Sequence, residues 1–406
     1  GSWGELGNQN TSNLYPFYEI LPVKSNSGNW LVNGGKTNTA DIPSLVSTLL
    51  TWERVRSFNV GFDFGAFSNR LTGSFDYFVR KTVDMVGPAP QLPLVLGIAP
   101  AIVNNADMKS YGFEIELSWR DRIGEVDYGV KFNLADAQQK VVKYPNTTNA
   151  FSDWYAGKMS GEIWGYTSLG IAKTDEEMKE HLASLPNGGQ NQLGNKWGAG
   201  DIMYADINGD GKVDGGKGTL ADPGDQRIIG NSTPRYNFGL VLDASYKGFD
   251  VSIFFQGVGK RDYAPIVGTN GAVFWGAVNN IWQSMAMEEH FDYFRPEGHP
   301  MGANLNGYYP RPDFTSNKNH QVQTRYLQDA SYIRLKNLQI GYTLPKQWIN
   351  KLHINRCRVY VSGDNLWTGT SLASMFDPET LAAGDWGSGK TYPLSKVISF
   401  GLNVNF

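Results

Sequence analysis

The sequence predicts an all-β fold of long antiparallel strands, each with one greasy and one wet face, and three observations predict it. Apolar and polar residues alternate with period two over segments of about ten residues or more. Glycine numbers 47 in 406 residues and aromatics reach 13%, while charged residues are only 18%, a balance suited to tight turns and aromatic-decorated strands. The connections between alternating segments are short and long in turn, the asymmetry of a membrane barrel with short periplasmic turns and long extracellular loops.

Ten segments follow the rule, at residues 1–8, 52–67, 70–84, 108–121, 125–142, 232–247, 249–262, 331–345, 354–368 and 393–406. In "RSFNVGFDFGAF" Phe58, Val60, Phe62, Phe64 and Ala66 share one face, and Asn59, Gly61, Asp63 and Gly65 the other. "YGFEIELSWR" sets Tyr111, Phe113, Ile115, Leu117 and Trp119 against Gly112, Glu114, Glu116, Ser118 and Arg120. "RYNFGLVLDASY" repeats the pattern, and the last segment opposes Ile398, Phe400, Leu402, Val404 and Phe406 to Ser399, Gly401, Asn403 and Asn405. Strands of a soluble sandwich are usually nearer five or six residues. A large soluble antiparallel sheet with one solvated face is the alternative that the pattern leaves open.

Tight turns are expected at "SNR" near 69, "DRIGE" near 123 and "YKGFD" near 248, and a modest one at "PKQWINKLH". The phase of alternation slips between Leu335 and Leu338, which places a β-bulge near Lys336 and Asn337. Within the longest loop, 145–231, "TDEEMKEHLAS" carries a capping box of Thr174 with Glu177 and is the best helix. Ten strands in lipid leave two edges of unpaired backbone groups. The remaining strands are therefore expected from a part of the protein preceding this chain, or from further copies of it.

Composition excludes several classes. Net charge is -3 and no basic run occurs, so nothing points to nucleic acid. A single cysteine, Cys357, excludes an internal disulfide or a thiolate cluster. The longest apolar run, "VGPAPQLPLVLGIAPAIV", carries Pro88, Pro90, Pro93 and Pro100 and cannot span a bilayer as a helix. The opening "GSWGELGNQN" has no initiator Met and reads as a fragment or processed product.

Five stretches in order, "ADINGDGKVD", "QRIIGNSTPRYNFGLVLDASYKGFDVSIFFQGV", "LQDASYIRLKNLQIGYTLP", "VYVSGDNLW" and "YPLSKVISFGLNVNF", resemble the C-terminal half of SusC/RagA-type TonB-linked transporters of Bacteroidetes-like outer membranes. The resemblance implies that these strands are the C-terminal portion, about ten strands, of a 22-stranded transmembrane barrel with a plugged lumen. It also implies an N-terminal plug and TonB-contacting segment, a SusD-like surface lipoprotein, and import of oligosaccharides or oligopeptides across the outer membrane. A plugless porin-like or adhesin-like barrel, and a soluble calcium-binding, glycan-binding β protein, are the other readings.

The stretch "ADINGDGKVDGG" has the chemistry of a hard-cation loop, with oxygens at alternate positions and a glycine turn. Asp206, Asn208, Asp210, the carbonyl of Lys212, and Asp214 supply donors, but the closing position is Lys217, which cannot ligate a cation. The resemblance implies that "GGKGTLADP" is an insertion, so that Asp225 is the delayed acidic ligand. A structural Ca²⁺ is expected over 206–225, with Mg²⁺ or Na⁺ in its place, or an ion-free Asx-rich turn, as alternatives.

"GDWGSGKT", residues 384–391, fits the phosphate-loop pattern, but it follows "DPETLAA" instead of a buried strand, and Pro393 stops any helix. Glu114 and Glu116 lie two apart on one strand face, about 7 Å by strand rise, a spacing common on a polar lumen. The five histidines form no metal spacing, and no nucleophile motif occurs, so no enzyme is predicted. Trp154, Tyr155, Trp164, Tyr166, Trp197, Trp275, Trp282 and Trp386 fall in the long loops. Trp154, Tyr155, Trp275 and Trp282 are the candidates for stacking on a sugar or peptide substrate, against the reading that such rings form loop cores or interfacial belts. Phe406 ends the last strand and resembles the terminal aromatic that outer-membrane assembly machinery reads; it is also simply the last lipid-facing position.

Overall fold

The computed structural model describes the chain except residues 10–17, 44, 48, 88–92, 94, 96, 99, 266–271, 277–285, 314–317, 351–352 and 382–390. Its main element is a ten-stranded antiparallel sheet in which each strand pairs with the next in sequence. The strands are β1 (Ser2–Asn8), β2 (Glu53–Ala66), β3 (Leu71–Gly87), β4 (Val103–Ile123), β5 (Val126–Lys143), β6 (Arg235–Tyr246), β7 (Phe249–Lys260), β8 (Tyr332–Thr343), β9 (Arg356–Thr370) and β10 (Val397–Asn405). Each expected segment is a strand. The boundaries differ most at β4, which starts five residues before the expected 108, and at β10, where residues 393–396 after Thr391 stay outside the ladder. Pro393 fixes its φ and has no N–H to give.

The turns explain the meander. Between β6 and β7, Lys247 and Gly248 both have positive φ, 46° and 90°, the twist-matching geometry of a two-residue hairpin. A Cβ on Gly248 would sit 2.8 Å from the Thr343 carbonyl oxygen, so glycine is required there on both counts. Gly124 (φ 61°) turns β4 into β5, and Phe67, Ser68 and Asn69 turn β2 into β3 through three successive left-handed residues, φ 53°, 57° and 62°. The other connections, 9–52, 88–102, 144–234, 261–331 and 371–396, are the long ones, and 344–355 is the modest one.

The bulge lies at Lys336. Phe254 pairs with Asn337 and Phe255 with Leu335, leaving Lys336 unmatched on β8. Two cations of this strand reach the same connection. Lys336 Nζ donates to Glu379 at 2.9 Å, and the buried Arg334 donates to Asp377 at 2.7 Å.

The apolar face of the sheet is exposed. Phe62 is 60%, Leu402 65% and Phe400 84% accessible, and rings align across strands, Phe62 with Phe75 at 5.7 Å and Phe249 with Tyr342 at 4.4 Å. The opposite face carries small and polar residues, including the Arg358–Asp250 pair, with an Nε–Oδ1 distance of 2.9 Å. The principal buried apolar cluster lies elsewhere. Tyr166, Ile202, Tyr204, Val213, Phe274 and Trp275 belong to it, and every member comes from the long connections.

Contacts divide the chain into two units, one of Gly1–Val60, Tyr77–Gly112 and Gln138–Met159, the other of Gly61–Asp76, Phe113–Ala137 and Ser160–Phe406. The loop core belongs to the second. Its helix α1 (Asp175–Ala183) starts with Thr174, whose hydroxyl accepts from Glu177 N–H at 3.1 Å. The expected reciprocal bond is displaced by one residue. Glu177 accepts from the N–H of Lys173, at 2.6 Å, instead of that of Thr174.

Two faces with opposite solvents respond oppositely to charge. In the full-length protein folded into bilayers, Phe62→Lys is expected to destabilise by about 2–4 kcal/mol near mid-bilayer, and Asp63→Lys by less than about 1. Denaturant unfolding of both variants measures the difference; equal losses would contradict the assignment of the faces.

Candidate functional site

The loop expected to hold calcium is closely tied, chiefly by its own backbone. The Asp206 carboxylate accepts from Gly209 N–H at 2.7 Å and Gly211 N–H at 2.8 Å. Asn208 accepts from Asp210 N–H at 3.0 Å, and Asp210 from Lys212 N–H at 3.2 Å. These are the Asx turns that alternate Asp and Asn residues favour. Gly211 bends the loop at φ 82°.

Asp225 reaches the loop, as the resemblance implied, and it does so as a brace. It is fully buried. Oδ1 accepts from Ile207 N–H at 2.7 Å and Asn208 N–H at 3.3 Å, and Oδ2 accepts from Asp214 N–H at 2.8 Å. Burial nevertheless pushes its carboxyl above the usual range. Asp214 behaves oppositely, since the Lys212 ammonium bonded to it holds its carboxyl below the usual range. Lys212 also lies 3.8 Å from Asp210. Its own burial, and after it the Asp225 and Asp214 charges, push the Tyr166 hydroxyl beside Gly215 up to about 12.

The donor chemistry of Asp206, Asn208, Asp210 and the Lys212 carbonyl suits a hard cation. Their arrangement does not close a shell. The oxygens are engaged by N–H groups and by the Lys212 ammonium, and among the described residues no three His, Cys, Asp or Glu side chains converge on a metal position.

The aromatic candidates separate. Trp275 is 1% exposed, with its ring 4.6 Å from Tyr326, 5.2 Å from Phe274 and 4.6 Å from His320. A ring so enclosed has no face to offer a substrate, and the expectation for Trp275 is corrected: it is loop core. Trp154 is 40% exposed. Lys158 holds it and its neighbour, with Nζ 5.7 Å from the Trp154 ring centre and 5.3 Å from that of Tyr155, while donating to the carbonyls of Phe151 and Asp153, each at 2.8 Å. That clamp keeps an amphipathic ring in water and in one orientation. Trp282, Trp386 and residues 384–390 of the glycine-rich stretch lie outside the described residues. Glu114 and Glu116 are exposed on β4. Phe406 is 84% exposed at the end of the chain.

A charge centre that no motif announces holds the loop core. Asp201, fully buried, accepts from Lys318 Nζ at 2.9 Å, from Arg311 Nε at 2.8 Å and Nη2 at 2.6 Å, and from Asn319 Nδ2 at 2.9 Å. Asn319 in turn accepts from Ile202 N–H at 2.9 Å, and Tyr204 donates to the Lys318 carbonyl at 2.7 Å. The connections β5–β6 and β7–β8 are thereby stapled through one carboxylate. Its only sequence signal is a set of charges inside an aromatic loop.

Residues 1–366 match the family described as TonB dependent receptor-like, beta-barrel. TonB-dependent receptor P3 of Formosa agariphila is 28% identical over all of this chain, which covers 39% of that protein. TonB-dependent receptor SusC of Bacteroides thetaiotaomicron is 20% identical, with 100% of this chain and 37% of that protein covered. The structure of the RagAB peptide transporter superposes with a TM-score of 0.69 at 23% identity, covering 100% of this chain and 40% of that one. The chain thus spans about two fifths of the length of the curated relatives it matches.

Removing one member of a buried pair leaves the other uncompensated, at a cost of about 3–5 kcal/mol. Asp201→Asn in the full-length protein is expected to open the 160–205 and 307–325 segments to trypsin while the strands keep their resistance to heat unfolding in detergent gels. Unchanged cleavage would contradict the staple.

Proposed function

Because this chain belongs to the TonB dependent receptor-like β-barrel family of the outer membrane, we propose that it supplies the C-terminal ten strands of an importer of oligopeptides or oligosaccharides, driven through TonB and served by a SusD-like surface lipoprotein. The observation that carries this reading is the division of the sheet. An exposed apolar face suits hydrocarbon, a polar face borders a hydrated lumen, and long loops gather at one end of every strand pair. Among the described residues β1 and β10 are each paired on one side only, and in lipid their free backbone groups demand partner strands. In this reading those strands, and the plug that fills the lumen, come from other parts of the transporter. The clamped, half-exposed Trp154 with Tyr155 supplies a stacking surface for cargo, and Phe406 a terminal assembly signal.

The reading separates from a plugless porin by its energy source. Cells carrying the full-length transporter are expected to accumulate labelled oligopeptides or oligosaccharides against a gradient, and to lose that accumulation when TonB is removed. Uptake that survives loss of TonB and only follows external concentration would contradict it.

Calcium in the 206–225 loop belongs to the same proposal, as a structural ion that orders the loop. Asp206, Asn208, Asp210 and the Lys212 carbonyl would hold it, and the Lys212 ammonium, bonded to Asp214, competes for Asp210. Calcium affinity of the full-length protein, measured by equilibrium dialysis, is therefore expected to rise in Lys212→Met and to vanish in the Asp206→Ala, Asp210→Ala double variant. Absence of bound calcium in all three proteins would contradict the ion.

A further inference from the structure

The connection between β1 and β2, residues 9–52, is built unlike the β5–β6 and β7–β8 connections, which turn their apolar residues inward around Tyr204 and Phe274. Among the described residues of 9–52 no apolar side chain is buried. Trp30 is 60%, Leu31 66% and Leu49 86% exposed, and Ile20, Val23 and Ile42 are exposed as well.

Part of this connection is nevertheless ordered by its own backbone. Asp41 N–H donates to the Pro22 carbonyl at 2.9 Å, and the N–H groups of Ser27 and Gly28 share the Thr37 carbonyl at 3.2 and 3.0 Å. Between these bonds Val23 pairs with Ala40 and Lys24 with Thr39, and Lys24 Nζ meets the Asp41 carboxylate at 2.6 Å. Further along, Leu31–Val32 pairs with Gly35–Lys36 through Asn33 and Gly34, whose φ values of 51° and 81° are those of a two-residue hairpin turn. Residues 22–41 thus form one hairpin arm.

An isolated two-stranded arm is at best marginally stable in water, and one that turns its apolar residues outward forfeits the burial that would hold it. Hydrocarbon does not serve as the cover, because residues 25–30 and 37–38 of the arm lie outside its ladders and irregular backbone does not face lipid. The cover must offer apolar side chains and hydrogen-bonding groups together, which is the chemistry of protein. The place of the arm in the chain says which protein. It springs from the connection of β1, whose outer edge carries no strand among the described residues. This chain covers 39% of TonB-dependent receptor P3, so the larger part of a protein of that size lies outside it.

We infer that the 22–41 arm docks on the connections of the strand pair that precedes β1, supplied by the same polypeptide, with Val23, Trp30, Leu31 and Val32 in the interface. A tryptophan beside a fixed turn is the residue type that anchors protein interfaces. The inference goes beyond the import reading and rests on it for one premise, that the strands completing the sheet belong to the same polypeptide.

The test uses the full-length transporter purified without its surface lipoprotein. The photoreactive residue p-benzoylphenylalanine replaces Leu31, and the products of illumination are sized on gels and mapped by mass spectrometry. The cross-link is expected within one polypeptide, to a peptide preceding residue 1. A cross-link to a second copy, to lipid, or to the lipoprotein when it is added back, and equally the absence of any cross-link, overturns the inference. Where the Leu31 variant loses the heat resistance of the strands in gels, the same probe at Lys36, the ladder partner of Leu31, takes its place. The unsubstituted protein gives a second readout: hydroxyl radicals are expected to oxidise Trp30 at least about fivefold more slowly than in the urea-unfolded protein, and a smaller slowing overturns the cover. Neither measurement uses transport. Uptake independent of TonB with the intramolecular cross-link intact would remove the import reading and leave the interface, whereas TonB-driven uptake without the cross-link would remove the interface alone.

Discussion

A strand in hydrocarbon has nowhere to send its N–H and C=O groups except to another strand, and its side chains must split between lipid and lumen. Both demands are met along this chain by one regular device, the antiparallel meander. Each hairpin turn brings the next strand back in a register that keeps one side of the sheet predominantly apolar. Lys247–Gly248 and Gly124 are small in sequence terms, yet a one-residue error at either would exchange the two faces of every strand beyond it. The bulge at Lys336 occurs on the segment where Arg334 and Lys336 anchor the β9–β10 connection, and the β8–β9 register shifts beside it, between Leu335 and Asn337.

The loops form a second structure with the opposite rule. Their rings are turned inward around Phe274, Trp275, Tyr309 and Tyr326, and the buried charges are compensated by partners far away in sequence. Asp201 and Lys318 are 117 positions apart. Such a core fixes loops that would otherwise be free to move. It gives the β5–β6, β7–β8 and β9–β10 connections a packed core of their own beside the strands. The match over 1–366 that shows the family spans the strands and most of the long connections alike.

The strands were legible because their signal is local. Period two is written in each segment, turn residues punctuate it, and even the bulge leaves a visible slip between Leu335 and Leu338. The α1 start was legible for the same reason, to within the one residue by which Glu177 misses its expected partner. Trp275 was misread because a loop tryptophan looks the same in sequence whether it faces water or other rings, and only contacts with residues some 50 positions away, such as Tyr326, decide. The Asp201 staple was invisible for that reason too, since its members come from separate connections and share no spacing. Asp225 was half legible: its approach to the 206–214 loop followed from the resemblance, while its three backbone N–H partners follow only from the folded geometry.

All of this depends on which medium touches the aromatic flank of the sheet. Spin labels placed singly at positions 398 to 404 of the full-length protein in bilayers, read for collision with oxygen and with a water-soluble nickel chelate, address it directly. Labels at 398, 400, 402 and 404 are predicted to favour oxygen, and those at 399, 401 and 403 to favour nickel, in strict alternation. Uniform exposure to the nickel chelate along the strand, or protection of the even positions from both reagents, would contradict the account.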